Sequence, residues 1–579
     1  ICRANVFSLI EEAYFRFMLE KKWILKPQPS SVELAELKSA INASDILATL
    51  LVQRKIQDFE SARSFFNPVI EGLHNPFLMK DMDRAVNRIS NAIEEGENIL
   101  IYGDYDVDGT SAVSLVYGFL MEQYENVGYY IPDRYGEGYG VSYQGIDFAD
   151  DNGFSLVIAL DCGVKANEQI AYALDKKIEF IVCDHHLPSD DLPMTTAMLN
   201  PLQKDCDYPY KYLSGCGIGY KLIQALSISW GLEKELAWKQ LDLVAIAAAC
   251  DIVPITGENR ILVNEGAKLM SHSLRPGLNL LLENAGMIKD GELTKKVLTV
   301  TDLVFKIGPR INAAGRMQHG QLAVELLTAN TMKGAEEPAK KINLNNQDRR
   351  EVDLQILDEA LEMINTDPEQ AGKKSTMLYA EHWHKGVIGI VASRIQEHFY
   401  KPTIILTEAN GKASGSARSV NGFDIHESIE QCSDLLLSFG GHPAAAGMTL
   451  DVDKVDDFRS RFEKSVADRI KPDQLVPTIE IDAELSFNQI TSNLFNTIER
   501  MSPFGPDNMK PFFVSYNVKD TGKSKCVGDG THLKFDVVQE GLSRTMRGIG
   551  FGLFEFHDAM KEGKSFDLVY TLEENTFNG

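Results

Sequence analysis

Three aspartates stand at alternate positions just after the short apolar run 99–102. They are Asp104, Asp106 and Asp108, and Gly109 follows them. Because side chains alternate between the two faces of an extended segment, the three carboxylates are expected to point to one side. Like charges this close repel each other unless a cation lies among them, and hard divalent ions are the usual partners of carboxylate oxygens. The spacing therefore predicts a divalent cation site.

Two plainer interpretations of this motif stay open when it is considered alone. Asp-x-Asp-x-Asp-Gly also opens an EF-hand calcium loop, but the twelfth loop position, which needs a bidentate glutamate, is Leu115. The residues before the motif have the pattern of a buried strand, whereas an EF-hand requires a helix there. A solvated turn without an ion is the better alternative. The rest of the sequence must decide between that turn and a metal site.

The composition is typical of a globular protein of three or four domains, with 579 residues that are 44% hydrophobic and 24% charged. The longest apolar runs, such as 243–250, are too short to span a bilayer, so no membrane partner is expected. The eight cysteines are scattered singly, without a Cys-x-x-Cys pair. That usage favours a reducing cytoplasm as the location of the protein.

The formal net charge of −25 argues mildly against nucleic-acid binding, because a surface that contacts phosphates is normally basic. The objection is weak. A local cationic groove can serve on an acidic protein, and carboxylates that bind metal ions also add to the negative total. Charge alone therefore excludes no class of substrate.

Helical and strand patterns alternate from about residue 80 onwards. The run 99–102 predicts a strand, and Thr110 is a suitable N-cap for a helix after Gly109. The other predicted strands are 156–160, 180–183 and 195–199, and the other predicted helices include 82–95 and 237–250. Strands that alternate with helices indicate a parallel sheet covered by helices on both faces.

The remaining segments predict further domains. Residues 30–68 have an amphipathic helical pattern, and a long polar helix over 338–364 is predicted to connect two domains. A second α/β pattern covers 370–465. From about 475 onwards short strands alternate with turns, which indicates a small β-barrel. The turns are expected at Gly522, Gly528–Gly530 and Gly541.

These patterns divide the chain into a helical segment, an α/β domain, a connector helix, a second α/β domain and the barrel. The expected boundaries are 1–75, 76–325, 326–368, 369–470 and 471–579. The chain starts with Ile1 and its first methionine is Met18, so residues 1–17 are expected to be foreign to the native fold. The barrel is expected to lack a last strand, because the sequence stops at Gly579.

Metal-competent side chains also follow the other predicted strands. Asp161 follows the run 156–160, and a triplet follows the run 180–183; Asp251 follows the predicted helix. The triplet is Asp184, His185 and His186. Because ligands in open parallel sheets gather at the carboxyl ends of the strands, these side chains are expected to converge. Asp251 considered singly would be interpreted as a helix cap or as part of a solvated loop.

The ligand set is mixed aspartate and histidine without a thiolate, which suits Mn²⁺ or Mg²⁺ better than zinc. It contains more carboxylates than one ion needs. Two ions about 3.5–4 Å apart are the standard arrangement for hydrolysing phosphate esters. The sequence therefore predicts a two-metal phosphodiesterase centre.

Asp-x-Asp-x-Asp-Gly-Thr, the lone Asp161 and the Asp-His-His triplet resemble the DHH phosphoesterase superfamily, and the length and other motifs resemble its RecJ branch. The resemblance implies that one set of residues binds the metals: Asp106, Asp108, Asp161, His185 and Asp251. It implies that Asp161 bridges the ions and that His186 is either a ligand or positions the attacking water. Asp104 and Asp184 are expected to orient these groups.

A second signature is Gly440 to Gly447, which resembles the GGH-x-x-AAG motif of the DHH-associated (DHHA1) domain. Small residues there let a substrate backbone approach closely, and His442 could donate to a phosphate or help at the leaving group. The alternative is a tight turn before a strand at 448–450. Ser416 and Arg418 stand two apart in a predicted strand and are expected to face the same way.

Three arginines lie in glycine-rich stretches or near them: Arg134, Arg316 and Arg418. An isolated arginine is usually a solvated surface charge, but a guanidinium beside flexible backbone can grip phosphate bidentately. The resemblance implies that these arginines and Ser416 form a pocket for a terminal 5′-phosphate. Tyr139 could stack on a base, and a buried core tyrosine is the alternative.

The resemblance implies a 5′→3′ exonuclease that releases 5′-mononucleotides from single-stranded DNA in repair and recombination. Its barrel is expected to be of the oligonucleotide-binding (OB) type, with strands 512–516 and 532–536 suited to stacking and phosphate contact. A helicase and a single-strand-binding protein are the expected partners. The alternatives are a DHH phosphodiesterase for short oligoribonucleotides or cyclic dinucleotides, and a metal-free scaffold, which the filled ligand positions disfavour.

Overall fold

The computed structural model describes residues 20–574, so the expectations for residues 1–17 and for the end of the barrel at Gly579 lie outside the described residues. The chain forms two compact units. The first unit comprises Asn67–Glu351 and Pro503–Met509. The second comprises the residues up to Phe66, Val352–Ser502 and the residues from Lys510 onwards.

The described chain opens in the second unit with one strand and three short helices. They are β1 (Lys22–Leu25), α1 (Ser31–Ile41), α2 (Asp45–Val52) and α3 (Phe59–Phe66). Ser30 and Glu33 form a capping box at the start of α1, and Asn42 ends that helix with a φ of 52°. The amphipathic pattern over 30–68 is thus divided among three helices, because left-handed backbone at Asn42 breaks the first one.

The sheet of the first unit is parallel, and five of its strands lie in the described residues in the order β3-β2-β4-β5-β6. They are β2 (Asn98–Gly103), β3 (Val127–Tyr130), β4 (Phe154–Leu160), β5 (Glu179–Cys183) and β6 (Ala197–Leu199). The side chains of Ile99 and Ile101 pack into one apolar core, and those of Leu100 and Tyr102 pack into another. Both faces are therefore covered, which explains why these strands are continuous apolar runs.

The sequence patterns did not predict the edge strand β3. Its four residues include Gly128, and three of them are only half buried. A short edge strand with glycine and tyrosines lacks the apolar run by which its neighbours were predicted.

Helices flank this sheet and continue to the end of the unit. They are α4 (Met82–Glu94), α5 (Val107–Met121), α6 (Tyr143–Asp151), α7 (Asn167–Asp175), α8 (Gly215–Ser229), α9 (Glu235–Trp238), α10 (Leu241–Cys250), α11 (Gly257–His272) and α12 (Pro276–Asn284). After the short hairpin of β7 (Ile288–Lys289) and β8 (Glu292–Leu293) come α13 (Val300–Asp302), a π-helical turn over Leu303–Ile307, α14 (Gly308–Met317), α15 (Gln321–Thr328) and α16 (Met332–Thr366). The helix expected over 237–250 is thus two helices separated by a turn.

The expected cap of α5 was wrong. Asp106 is the N-cap and its carboxylate accepts from the Gly109 N–H at 3.1 Å. Thr110 lies one turn inside the helix, where its hydroxyl donates to the Asp106 carbonyl at 2.6 Å. Aspartate is at least as good a cap as threonine, so the helix begins within the aspartate motif.

The connector helix α16 is 35 residues long and starts six residues earlier than expected, with Pro338 inside its N-terminal part. Residues up to Glu351 belong to the first unit and those from Val352 to the second. Among the described helices, α16 included, none is long and apolar enough to cross a membrane.

The second unit continues with a mixed sheet whose described strands are ordered β12-β13-β11-β10-β9. Its elements are β9 (Thr376–Tyr379), α17 (Ile388–Phe399), β10 (Thr403–Ala409), β11 (Lys412–Arg418), α18 (Ile425–Glu430), β12 (Leu436–His442), β13 (Ala445–Leu450) and α19 (Val455–Arg469). Gly440–His442 close β12, and a turn at 443–444 leads into β13, so the tight turn weighed as the alternative covers only the two residues after His442. Gly441 has a φ of 147°, and a side chain there would overlap the Ala445 carbonyl.

The C-terminal part of the second unit is mainly β-structure. Its elements are β14 (Thr478–Ile481), β15 (Ala483–Glu484), α20 (Ser492–Glu499), β16 (Phe513–Asp520), β17 (Lys525–Val527), β18 (His532–Gln539), β19 (Thr545–Gly550), α21 (Phe556–Lys561) and β20 (Phe566–Tyr570). β14 pairs in parallel with β1. In the described tail, β15 to β20 form one sheet, and the predicted turn glycines all have positive φ: Gly522, Gly528, Gly530 and Gly541.

A buried ion pair joins two helices of the first unit. The Lys221 ammonium on α8 lies 2.7 Å from a carboxylate oxygen of Glu258 on α11, and both side chains are fully buried. The Tyr208 hydroxyl and the His74 N–H also donate to this carboxylate, at 2.7 and 2.8 Å. Burial lowers the pKa of Lys221, and the attraction of Glu258 opposes that shift.

Replacing Glu258 by glutamine should therefore lower the free energy of unfolding by about 3 kcal/mol, since breaking a buried pair leaves an uncompensated charge. Urea unfolding followed by circular dichroism measures this. The matched control is Asp205→Asn, which removes the exposed pair with Lys80 and should cost less than about 1 kcal/mol. Equal effects of the two substitutions would contradict the assigned role of the buried pair.

Candidate metal centre

The ends of two strands and two helices bring four metal-competent side chains together in the first unit. The Nε2 atom of His185, after β5, lies 3.2 Å from Asp161 Oδ1, after β4. The same nitrogen lies 3.5 Å from Asp251 Oδ2, at the end of α10, and 3.9 Å from Asp108 Oδ2, at the start of α5. Parallel strands place their carboxyl ends at one edge, which explains the convergence.

The ligand atoms fall into two overlapping groups, each small enough to surround one ion. One group contains Asp161, His185 and His186, and the other contains Asp108, His185 and Asp251. Within each group the atoms lie within 4.8 Å of one another. His185 is common to both, so the two candidate cation sites are neighbours.

The N-terminus of α8 holds one of these ligands. The Gly215 N–H donates to Asp108 Oδ2 at 2.6 Å, and the Cys216 N–H donates to Asp108 Oδ1 at 2.8 Å. A side chain on Gly215 would come within 2.5 Å of Asp161 Cβ, so only glycine allows α8 this close. Sequence reasoning missed this turn, and its one local signal is the N-cap Ser214 before a glycine.

Two further backbone features shape the centre. Asp161 has a φ of 59°, and its N–H donates to the Cys183 carbonyl at 2.9 Å. The Asn312 Oδ1 atom on α14 accepts from the Val107 N–H at 3.1 Å and so shares the capping of α5 with Asp106. Asn312 was also missed. Asp106 belongs to neither of the two groups in the described structure, and its role as a ligand stays a prediction.

His186 is held at both ring nitrogens. Its Nδ1 atom lies 2.7 Å from Asp184 Oδ1, and its Nε2 atom lies 3.2 Å from the Tyr139 hydroxyl. Asp184 also accepts from the Val164 N–H at 2.9 Å. The Tyr139 hydroxyl donates to the Asp161 carbonyl at 3.1 Å, and 55% of this tyrosine is exposed, which excludes the buried core alternative.

Burial and mutual repulsion raise the pKa values of several carboxyl groups of the centre. Burial, followed by the charge of Asp106, raises the pKa of Asp108 to about 7. Burial, followed by the charges of Asp108 and Asp106, raises the pKa of Asp251 to about 9. The pKa values of Asp104 and Asp161 also lie well above the usual range, mainly through burial. The fold thus places several acidic groups close together, and burial and mutual repulsion oppose the ionisation of each of them.

The pKa values of the two histidines are shifted in opposite directions. Burial, together with the neighbouring His186, lowers the pKa of His185 to about 4, so its ring is neutral. Burial also acts to lower the pKa of His186, but the hydrogen bond with Asp184 outweighs it and the net pKa is raised. For Asp184, burial acts to raise the pKa, and the bonds from His186 and Val164 bring it below the usual value.

Several acceptors of the centre lack a donor in the described part of the chain. Both oxygens of Asp104, Asp161 Oδ1 and Asp251 Oδ2 are buried and accept no hydrogen bond of standard geometry. A neutral imidazole nitrogen among such oxygens is unfavourable without a cation. Burial raises the pKa of Cys216, and that of Cys250 to about 12, and neither thiol belongs to the two ligand groups found among the described residues. The donor set therefore fits hard divalent ions.

Two predicted arginines of the first unit lie beside the centre. The Arg134 guanidinium lies 4.8 Å from the ring centroid of Tyr105, the residue after Asp104. Arg316 is in the last turn of α14, and its carbonyl accepts from the Tyr135 hydroxyl. Burial raises the pKa of Tyr105 to about 12, and both arginines act against that shift. The structure therefore brings Arg134 and Arg316 to the same tyrosine.

The other predicted binding residues lie in the second unit. Arg418 Nη1 donates to Ser416 Oγ at 2.8 Å, and Arg418 Nε donates to Ser393 Oγ at 3.1 Å. Ser393, on α17, was missed and has no local sequence signal. A side chain on Gly389 would contact Ser416 Oγ at 3.0 Å. His442 is exposed at the end of β12. In the sheet, His442 and Arg418 are both paired with Ala445 of β13, on opposite sides of that strand.

Comparisons with known families match three parts of the chain. Residues 98–248 match the DHH family N-terminal domain, 372–468 match the DHHA1 domain, and 481–579 match the RecJ OB domain. The predicted fold class is confirmed by these matches.

Curated relatives match most of the chain. The single-stranded-DNA-specific exonuclease RecJ of Bacillus subtilis (strain 168) is 35% identical over 561 residues, which cover 96% of this chain and 69% of that protein. The chain belongs to the RecJ family. RecJ of Escherichia coli (strain K12) is 32% identical over 86% of this chain and 88% of that protein.

Solved RecJ structures share the fold. RecJ from Thermus thermophilus in complex with Mn²⁺ is 25% identical, with a TM-score of 0.80, over 96% of this chain and 77% of that one. The same protein in complex with Mg²⁺ has a TM-score of 0.74. Both ions are those that the oxygen and nitrogen donors of this centre fit.

The raised pKa values predict how the stability of this RecJ protein depends on pH. In metal-free protein, the folded state keeps a proton on Asp108 up to about pH 7 and on Asp251 up to about pH 9, whereas the unfolded chain has lost both protons well below pH 7. Stability should therefore fall as the pH rises from about 7 to about 9. This window lies above the unfolded pKa of histidine, so the low pKa of His185 does not oppose the trend. Thermal unfolding in chelator measures it.

Saturating Mn²⁺ should remove the decline, because bound cations offset the repulsion. The control variant is Asp161→Asn, since asparagine tolerates the left-handed backbone at this position and removes one of the carboxyl groups whose pKa is raised. Its metal-free profile should be flatter. A wild-type profile that is flat or rises over this window without metal would contradict the electrostatic account.

Proposed function

We propose that this protein is a metal-dependent exonuclease that degrades single-stranded DNA from the 5′ end and releases 5′-mononucleotides. The observation that carries the proposal is the convergence of Asp108, Asp161 and Asp251 around His185, with His186 beside them, which offers more ligand atoms than one ion needs. Two adjacent cation sites are the arrangement used to hydrolyse phosphodiesters. The RecJ relatives are named single-stranded-DNA-specific exonucleases, which supports the same substrate here.

The metals would be held by the carboxylates of four aspartates and by His185 Nε2. The four are Asp106, Asp108, Asp161 and Asp251. When bound, Mn²⁺ or Mg²⁺ would supply Lewis acids for the phosphate oxygens and a hydroxide nucleophile near neutral pH. The backbone N–H groups of Gly215 and Cys216 fix Asp108 in place, which keeps its oxygens at the centre.

His186 would orient the attacking water and hold a proton beside the reacting phosphate. Asp184 accepts from its Nδ1–H, which fixes the ring and favours the protonated form. Tyr139 meets the Nε2 atom at 3.2 Å. His442 would donate to a phosphate oxygen or to the departing 3′-oxygen.

The direction of digestion would come from an anchor for the terminal 5′-phosphate. Arg418 is suited to this, because Ser393 and Ser416 fix its guanidinium in one orientation. A fixed guanidinium can bind phosphate through two parallel hydrogen bonds. Ser416 would contact the same phosphate, Arg134 and Arg316 would bind phosphate groups of the strand, and Tyr139 would stack on a base.

We further propose the domain division 1–75, 76–325, 326–368, 369–470 and 471–579, with the last domain guiding the single strand. A cytoplasmic location, a role in DNA repair and recombination, and a helicase and a single-strand-binding protein as partners complete the proposal. The tail argues against a phosphodiesterase for dinucleotides, because residues 481–579 match an OB domain. Such a domain binds several nucleotides of a strand.

Incubation with Mn²⁺ should lead to degradation of a long 5′-phosphorylated single strand and leave its duplex, a dinucleotide and a cyclic dinucleotide largely intact. Chromatography of the products should show 5′-mononucleotides from the earliest times. Asp161→Ala should abolish the activity, since it removes an oxygen from the shared centre. Survival of the long strand, or faster cleavage of either dinucleotide, would contradict the proposal.

Arg418→Ala should reduce the preference for a 5′-phosphate over a 5′-hydroxyl end by roughly ten- to a hundredfold, because a charge-assisted contact worth about 1.5–3 kcal/mol is lost. Mn²⁺ binding should not change. Competition between the two ends measures the preference. Arg461→Ala is the control, since Arg461 is an exposed arginine of the same unit that pairs with Asp434. An unchanged preference in Arg418→Ala would remove Arg418 from the pocket.

A further inference from the structure

Ile252, the residue after the predicted ligand Asp251, has a backbone conformation that its side chain disfavours. Its φ is 62°, in the left-handed region. Among the described residues with positive φ, it is the only β-branched one. Branching at Cβ makes this region costly, and glycine or asparagine is the usual residue after a helix end. Ile252 follows α10, whose C-cap is Asp251.

The folded chain does not compensate for this strain by burying the side chain. Ile252 is 72% exposed, so its apolar atoms gain little from packing. Glycine would relieve the backbone and asparagine would tolerate it. Strain that the fold does not require, next to a functional group, points to a contact that forms with a ligand.

Two other exposed large side chains belong to residues that adjoin the centre in sequence or contact it. Leu187, directly after His186, is 66% exposed. Tyr139, whose hydroxyl contacts Asp161 and His186, is 55% exposed. The ligands themselves are largely buried and acidic. The centre thus presents cation sites for a phosphate and, beside them, apolar surface that no phosphate would cover.

We propose that Ile252 is a specificity-determining residue that packs against the nucleoside of the nucleotide whose phosphate lies at the metal centre. This inference rests on the proposed function. Sugar carbons and base faces are the apolar parts of a single strand, and aromatic or aliphatic side chains are their usual partners. The contact requires the left-handed backbone, because this directs the residue after Asp251 out of the helix.

The test compares Ile252→Gly and Ile252→Asn with the wild-type chain. Thermal unfolding should occur at the same or a higher temperature, and Mn²⁺ affinity measured by calorimetry should change less than twofold. The kcat/KM for single-stranded DNA should fall about tenfold. Thymidine 5′-monophosphate should become about tenfold weaker as a product inhibitor, whereas inhibition by inorganic phosphate should not change. Ile252→Leu should keep most of the wild-type activity.

Lys177→Gly is the matched control, because Lys177 is an exposed residue with a φ of 62° directly after the C-cap of α7. It should leave the activity and both inhibition constants as they are. The inference is overturned if Ile252→Gly keeps wild-type kcat/KM, if both inhibitors weaken equally, or if Mn²⁺ affinity is lost. A wild-type protein that does not degrade the strand contradicts the proposed function itself, and this inference with it.

Discussion

The main constraint on the structure of the first unit is the electrostatic repulsion between carboxylates that lie close together at the ends of parallel strands. Asp108, Asp161 and Asp251 surround one imidazole nitrogen, and the two nearer carboxylates lie 3.2 and 3.5 Å away. Burial removes the water that would screen their charges. The fold offsets part of the repulsion with backbone N–H groups at the start of α8, and protonation offsets another part when no cation is present. Divalent ions remove the remainder.

Close approach of the backbone makes this arrangement possible, and glycines allow that approach. A side chain on Gly215 would collide with Asp161, and one on Gly109 would overlap the backbone of Asp104. The backbone is also left-handed at Asp161, which is itself a predicted ligand, and at Ile252, which follows the predicted ligand Asp251. Such features lower stability where they occur, and the large apolar cores on both faces of the sheet compensate. The site thus lowers the stability of the fold locally, and the packing of the rest of the α/β unit compensates for this loss.

Much of this could be predicted from the sequence, and the exceptions have physical reasons. Continuous apolar runs revealed β2, β4 and β5, and the rule for ligands at strand ends then placed Asp161 and His185 together. The short, half-exposed β3 has no such run. The contact of Gly215 with Asp108 joins residues 107 positions apart, so no local pattern reveals it. The same holds for Asn312 and Ser393, whose partners lie on other elements. The cap of α5 was misplaced because two good capping residues compete there.

The central claim is that the acidic cluster is a site for two divalent cations. The most direct measurement is the number of Mn²⁺ ions bound per full-length chain at saturation, by equilibrium dialysis and elemental analysis. The account predicts two ions in the wild-type protein and at most one in Asp161→Asn, with the folded state intact by circular dichroism. Fewer than two ions in the wild type, or two ions retained by Asp161→Asn, would contradict it.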